Sequence, residues 1–462
     1  MTEQGTRQAP PWIFGITNIP YGVAGTYAGV SMPFILRKAG LPIETIALLG
    51  ALALLPAAYQ LFWAPVIDLG IRRRSWLVLL SCLGSVCLAS TMLLKLPENL
   101  AAYEILLIAG QALVGLVASC NGALVSITVD PKKRGRAAGW VNAANLGASA
   151  LGGGVVLTLV NTVSVQAAAI ALVVMIVVPS LAALTIPEPP PLHEPLMQHL
   201  GNMRKEVWLA VRSRRGWSGL LFCISPVGTV ALTNLFSGLG SEYHVSSKVV
   251  ELVNGYGGGF VTAAGALAAG YMLDRIDRRK AYLLSGILTA ICCVGMALAP
   301  LNSTSFVIGV LAYLLVAGLA YAAFSAVVYE IVGTAGSTAS TLYSVFPAAG
   351  NQAIAYTLFL DGRAHRAWGT RGLLLSDAFM NLAGVLALLL LLRVVFPEKQ
   401  AGKESEQQEQ APLPVFAEPV PVSVLSAEDV GPAPAIAALR VPAADAFCQS
   451  SVISAGDEKP AS

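Results

Sequence analysis

Two stretches decide the fold: Asp68-Leu69-Gly70-Ile71-Arg72-Arg73-Arg74-Ser75-Trp76-Leu77 and Asp274-Arg275-Ile276-Asp277-Arg278-Arg279-Lys280-Ala281-Tyr282-Leu283. Each closes one long apolar run and opens the next. Asp68, Arg72, Arg73 and Trp76 map onto Asp274, Arg278, Arg279 and Tyr282 at one constant offset of 206 residues. A looser pair follows, with Asp130 ending the fourth apolar run and Glu330 near the end of the tenth. Only 12% of this chain is charged, so acids recurring at equivalent places mark an internal repeat.

The runs between these turns have the length of membrane crossings. A hydrocarbon core of about 30 Å needs about 20 apolar residues per helix. Helices are expected near 12–36, 43–67, 75–95, 102–128, 137–160, 165–186, 217–240, 248–272, 281–300, 304–331, 338–360 and 373–396. The first and eleventh are interrupted by Gly, Pro, Tyr and Asn, which is tolerated where a helix faces protein or a cavity. Hydrophobic residues make up 55% of the chain and mean hydropathy is +0.68. Soluble domains carry about 25% charged residues, so lipid is the solvent here. The runs are continuous rather than alternating, which excludes a membrane barrel. The expected fold is an all-α membrane protein with twelve transmembrane helices in two pseudo-symmetric six-helix bundles.

Charge sets the orientation. Arg72, Arg73, Arg74, Lys132, Lys133, Arg134, Arg136, Arg204, Lys205, Arg212, Arg214, Arg215, Arg275, Arg278, Arg279 and Lys280 fall in one set of links, sixteen in all. The opposite set holds seven: Arg37, Lys38, Lys95, Lys248, Arg363, Arg366 and Arg371. The positive-inside rule places the larger set in the cytoplasm, with both termini; the expected location is the cell's inner membrane. Residues 1–11 read as a cytoplasmic N-terminus with no removable signal peptide, 12–186 as the first bundle and 217–396 as the second. Residues 187–216 form a cytoplasmic linker, in which Leu196, Leu200, Met203, Val207 and Val211 recur at the spacing of an amphipathic surface helix or lie in a solvated link. Residues 397–462, rich in Pro, Ala, Glu, Gln and Ser, read as a disordered cytoplasmic tail.

The repeated acids suggest latches. A lone Asp at a helix end is costly unless arginine and the positive end of another helix offset it. Asp68 is expected to dock at the start of the eleventh helix, along Gly333–Thr338, and Asp274 at the start of the fifth, near Arg136. The gating set is Asp68, Arg72, Arg73, Asp274, Arg278, Arg279, Asp130 and Glu330; topogenic charge with surface pairing is the competing reading. Uncharged polar groups supply the candidate substrate cavity: Asn18, Tyr21, Tyr27, Gln111, Asn121, Asn142 and Asn145 in the first half, and Asn234, Asn254, Tyr321, Tyr329, Asn351 and Gln352 in the second. Each of them can instead tie helix to helix. Glu44, Glu104, Glu251, Asp361 and Asp377 are placed near the outer rim, leaving almost no ionisable group at membrane depth.

Gly152–Gly154 and Gly257–Gly259 lack the Lys-Ser/Thr of a phosphate loop and suit close helix packing. The four histidines lie in links, and the seven cysteines form no ligand cluster. No metal, cofactor or nucleic acid is expected. The partners are a small-molecule substrate, the bilayer and protons, with the chain acting as a monomer.

Two six-helix halves with an acid-then-arginine turn after their second helices resemble the major facilitator superfamily over residues 12–396. Phe62-Trp63-Ala64-Pro65-Val66-Ile67-Asp68, followed by Arg72–Leu77, is similar to the muropeptide permease and acetyl-CoA transporter branch, as is the Gly pattern of 246–287. That resemblance implies proton-coupled import of a cell-wall muropeptide, or more distantly of a siderophore. The chain departs from the permease in its fourth helix, where Asn121 and Val125 stand in place of acids and only Asp130 is retained. An intramembrane enzyme would need convergent catalytic groups and an ATP-driven pump a nucleotide-binding domain, and neither is visible. Export and uncoupled diffusion use the same architecture.

Overall fold

The computed structural model describes residues 8–68, 70–188, 212–333 and 339–395, with 205, 208 and 209 between them. The linker helix expected at 196–211 and the tail after 396 lie outside the described residues. The chain crosses the membrane twelve times, as two six-helix bundles. Among the described residues seven helices are long and apolar enough to cross by length and composition alone. One of these, Ala339–Leu391, joins two crossings, and the other crossings are assembled from shorter pieces.

Prolines and glycines set the breaks. The first span runs as Ile13–Ile16, Ile19–Thr26, a wider-turned Tyr27–Ser31 and Met32–Lys38, with Pro20 and Pro33 restarting the helix where no N–H is required. The second is Ile43–Ala58, then tight turns at Gln60–Phe62 and Ala64–Asp68. The third to sixth are Arg73–Leu93, Leu100–Thr128, Arg134–Thr162 and Val165–Ser180. The seventh is broken into Arg214–Ile224, Ala231–Asn234 and Phe236–Leu239, with Gly228 at φ 61° and Val230 at φ 45° between them. The eighth is Ser247–Asn254 and Tyr256–Leu273, and the ninth and tenth are Arg278–Leu298 and Ser303–Val332.

The eleventh span departs from expectation. Helix continues through Pro347 and through 361–368, where a link had been expected, and stops only at Gly369, whose φ of 66° and ψ of −161° no helix accommodates. Asp361 is thereby carried on a helix instead of a rim loop.

Local capping fixes several starts. Ser164 accepts from Ala167 N–H at 3.0 Å, Ser213 from Gly216 N–H at 3.0 Å and Asn302 from Ser305 N–H at 2.8 Å. The halves meet where the fifth and eighth spans cross. A Cβ on Gly139 would lie 2.7 Å from Ala266 O and 2.8 Å from Gly270 Cα, so only glycine permits the approach. The two Gly triplets pack likewise: Gly153 faces Thr26 and Gly259 faces Ala150. Outward-facing Leu54, Phe62, Ile105 and Leu298 are exposed, as lipid-facing side chains are.

Candidate functional site

The face carrying the repeated turns is closed by contacts between the halves. Asp68, whose side chain is fully buried, accepts from Ser340 N–H at 3.3 Å, Thr341 N–H at 3.0 Å and the Thr341 hydroxyl at 2.8 Å, all in the first turn of the eleventh span. N–H groups in the first turn of a helix carry the positive end of its dipole, so a carboxylate is well suited to them. Arg73 holds the other side of Asp68 at 2.9 Å and donates to Ser340 Oγ at 3.0 Å. Glu188, just past the sixth span, accepts from Arg73 N–H at 3.0 Å and Arg74 N–H at 3.1 Å. Arg72 contributes its carbonyl to Ser75 and Trp76. Residues 334–338 of the expected docking segment lie outside the described residues.

On the other side, Asp274 accepts from Arg136 N–H at 3.1 Å and pairs with the Arg136 guanidinium, at the start of the fifth span. Here Asp274 is 9% and Arg136 39% exposed, a wetter contact than that of Asp68. Arg278 donates to Pro131 O across the halves and pairs with Glu330 at 3.2 Å, while Arg279 reaches Glu330 at 3.7 Å. Asp130 caps Lys132 N–H at 2.9 Å. Arg134, counted in the sequence only as a topogenic charge, is buried, donates to Ser126 O and lies against Gly333 at the end of the tenth span.

Beyond these contacts lie two chambers, about 210 Å³ and about 400 Å³, with Tyr321 lining both. Tyr21, Gln60, Tyr282, Phe324, Tyr343 and Asn351 surround the first, with the broken seventh span contributing Gly228 and Thr229. Asn142 links the halves, donating to Ser325 Oγ at 2.9 Å and Tyr321 O at 3.3 Å. Tyr282 is held by Val227 O at 2.5 Å, and its ring centroid lies 6.0 Å from that of Phe222. Glu251 and Asn254 line the second chamber, where Asn254 Nδ2 is buried without a partner. Glu251 is the one charged group lining either chamber among the described residues.

Of the thirteen expected cavity groups, Tyr21, Asn142, Asn254, Tyr321 and Asn351 line a chamber. The others line neither. Asn121 donates to Phe14 O at 3.0 Å and accepts from Thr17 at 2.7 Å, and Asn18 donates to Val141 O at 3.3 Å. Gln111 donates to Ala24 O at 3.1 Å and Tyr27 pairs with Thr91. Asn145 backs Gly22, Asn234 bonds Ala231 O at 3.2 Å, Tyr329 stacks on Tyr343 at 6.0 Å and Gln352 is exposed. A buried amide must find a partner, and Asn18, Gln111 and Asn121 find theirs on a neighbouring helix.

Two of the acids expected near the outer rim are enclosed by protein. Asp361 and Asp377 are both 0% exposed. Helix on both sides of Gly369 draws them into the second bundle. Glu44 is exposed and Glu104 half-buried. Sequence reasoning also missed Glu188, Gln60, Ser119 and Ser344; Gln60 donates to Ser119, whose hydroxyl meets that of Ser344 at 2.7 Å across the halves.

A multi-pass helical protein with two bundles, a chamber between them and one face sealed by paired contacts is a membrane transporter in form. The chain matches the Major Facilitator Superfamily model over residues 14–351 and again over 218–447, and it belongs to that family. Its fold is similar to that of the human organic anion transporter MFSD10 (TETRAN), at 14% identity and TM-score 0.60, covering 82% of this chain and 100% of that one. It is equally similar to the E. coli fucose:proton symporter FucP, at 13% identity and TM-score 0.60, covering 82% and 98%. A second FucP structure, in the outward conformation, matches at 12% identity and TM-score 0.60 over the same shares. No curated protein matches the sequence.

Proposed function

We propose that the chain imports a small polar solute across the inner membrane by alternating access, driven by protons, and that the solute is muropeptide-like. The carrying observation is the pair of chambers meeting at Tyr321, above a face closed by Asp68 and Asp274. Together the chambers fall within the about 300–1,000 Å³ of small-molecule sites. Tyr21, Tyr282, Phe324 and Tyr343 offer faces for a sugar ring, and Asn142, Asn351 and Gln60 offer amides for hydroxyl and acetamido groups. The lining carries no Lys or Arg among the described residues, which favours a sugar-like ligand, such as the fucose of the FucP symporter, over an organic anion. In this reading the Asp68 and Asp274 contacts are latches that hold the cytoplasmic side shut and release when the loaded carrier turns inward.

The test is uptake into proteoliposomes under an imposed pH gradient, comparing an anhydromuropeptide, a siderophore and a simple sugar. Accumulation of the muropeptide that collapses with the gradient is expected. Flux of the siderophore alone, or flux indifferent to the gradient, would replace the reading with another permease or with an uncoupled facilitator.

A further inference from the structure

The corner that joins the eleventh and twelfth spans carries a cleft separate from the two chambers. It measures about 840 Å³ and is lined by residues drawn from 360–380, among them Leu360, Arg363, Trp368, Arg371, Leu375 and Phe379. None of these lines either chamber. Two glycines set the corner. Gly369 turns the chain at φ 66° and ψ −161°. A Cβ on Gly372 would lie 2.8 Å from Ala364 O, so the two arms meet where a larger residue would not fit.

The lining joins two chemistries. Leu360, Leu375 and Phe379 are exposed apolar side chains, like the lipid-facing groups of the other spans, and Trp368 is more exposed still. Tryptophan is the residue enriched where a membrane meets water. Arg363 and Arg371 are exposed beside them. Arg363 is steadied by the Phe359 ring, with its Cζ 5.3 Å from the ring centroid. Neither arginine forms an ion pair among the described residues. The acids of this stretch cannot serve them: Asp361 and Asp377 are enclosed by protein. Glu242, which reaches the corner from the seventh span's end, is engaged by His365 at 2.7 Å and by Thr370.

The sequence marks the same place. Arg363, Arg366 and Arg371 fall close together in the set of links that is poor in basic residues. The positive-inside bias acts against a cluster there, and an anion at the membrane surface offsets it. A guanidinium is a fork of donors matched to phosphate oxygens. A free anion would use the arginines and leave the apolar side chains idle. A second copy docked across a two-fold axis would set these arginines against their own counterparts. A ligand with a negative head and a hydrocarbon body satisfies both parts of the lining.

We propose that this cleft holds an anionic phospholipid, its headgroup phosphate on Arg363 and Arg371 and an acyl chain along Leu375 and Phe379. The site stands at the far end of the eleventh span from the turn that receives Asp68. It is independent of which solute the chambers carry.

The test is tryptophan quenching of the full chain in phosphatidylcholine nanodiscs containing a minor share of brominated phosphatidylglycerol or, in parallel, brominated phosphatidylcholine. Attraction of about 1 kcal/mol per arginine gives an expected preference for the anionic lipid of about 30-fold, or about fivefold per arginine. Arg363→Gln and Arg371→Gln should each lower the preference by about that fivefold factor, and the double variant should remove it. Trp368→Phe should abolish the extra quenching, because the signal comes from the cleft. Equal quenching by the two lipids in the wild type overturns the proposal, as does extra quenching that survives Trp368→Phe. Loss of the preference in Arg366→Gln alone would move the site off the cleft and overturn it too. Displacement of the anionic lipid by inorganic phosphate would assign the arginines to a free anion. A Trp368 shielded from both brominated lipids would mean that protein covers the cleft, which also contradicts the proposal.

Discussion

At the turn between the eighth and ninth spans, Asp277 accepts from the N–H groups of Arg279 and Lys280, both at 3.0 Å. The equivalent N–H groups in the first half belong to Arg73 and Arg74, but Ile71 stands where Asp277 would be. Glu188 arrives from beyond the sixth span to do the same work. The difference extends to Asp68 and Asp274. Asp68 is dry, gripped by two backbone N–H groups, a hydroxyl and Arg73. Asp274 has one backbone N–H and a half-exposed Arg136, but beside it Gly139 and Gly270 bring two helices into backbone contact. One side of the closed face is held by buried polar bonds and the other by close packing plus a wetter ion pair. Repeated sequence thus preserves the acid while the surroundings diverge, and among the described residues Asp68, through Arg73, is tied to Glu188 just past the sixth span.

The largest effect is expected from Asp68→Ala. Removing one partner of a buried ion pair costs about 3–5 kcal/mol, and Asp68 also satisfies two backbone N–H groups and a hydroxyl of the other half. A cysteine at Ser344, buried in the closed face, should become reactive to a thiol label in a background lacking the seven natural cysteines. Asp274→Ala should open the same reporter less, since losing charge-assisted bonds costs about 1.5–3 kcal/mol and Arg136 can hydrate. Equal labelling in the two variants would remove the distinction between a dry and a wet latch.

Gly139→Ala probes the packing side alone. Its Cβ would press on backbone atoms, and overpacking of this kind costs about 1–3 kcal/mol. Labelling should rise without any change in the salt dependence of the Asp274 pair. The smallest effect concerns the caps. Glu188→Ala and Asp277→Ala should each lower thermal stability by about 1 kcal/mol. Ile71→Asp should restore the first but not the second, since it rebuilds locally the cap that Asp277 already supplies in the other half.

The twelve spans and the repeat were legible because hydrophobic length and the constant spacing of Asp68 and Asp274 are properties of the chain itself. The partners of these acids could be approached through helix starts, since a carboxylate near an inner helix end needs free N–H groups. Glu188 was not legible: PEPPP after the sixth span reads as linker, and nothing in it signals a bond to a helix 115 residues earlier. The cavity was legible only in part. Asn121 and Asn351 are the same residue type in similar apolar surroundings, and only the angle of each helix decides whether the amide meets a neighbour or the chamber. Asp361 and Asp377 were placed at the rim because a charged, Arg-rich stretch normally marks a link, whereas here helix persists through it to Gly369.

Alternating access with latches at both turns is tested most directly by spin labels at Lys132 and Lys280, exposed positions on the closed face in opposite halves. The wild-type distance distribution should be dominated by a short population. In Asp68→Ala/Asp274→Ala that population should yield to a longer one. A double variant whose distances match the wild type would contradict the account, since the two halves would then be held together without the acids that the repeat preserves.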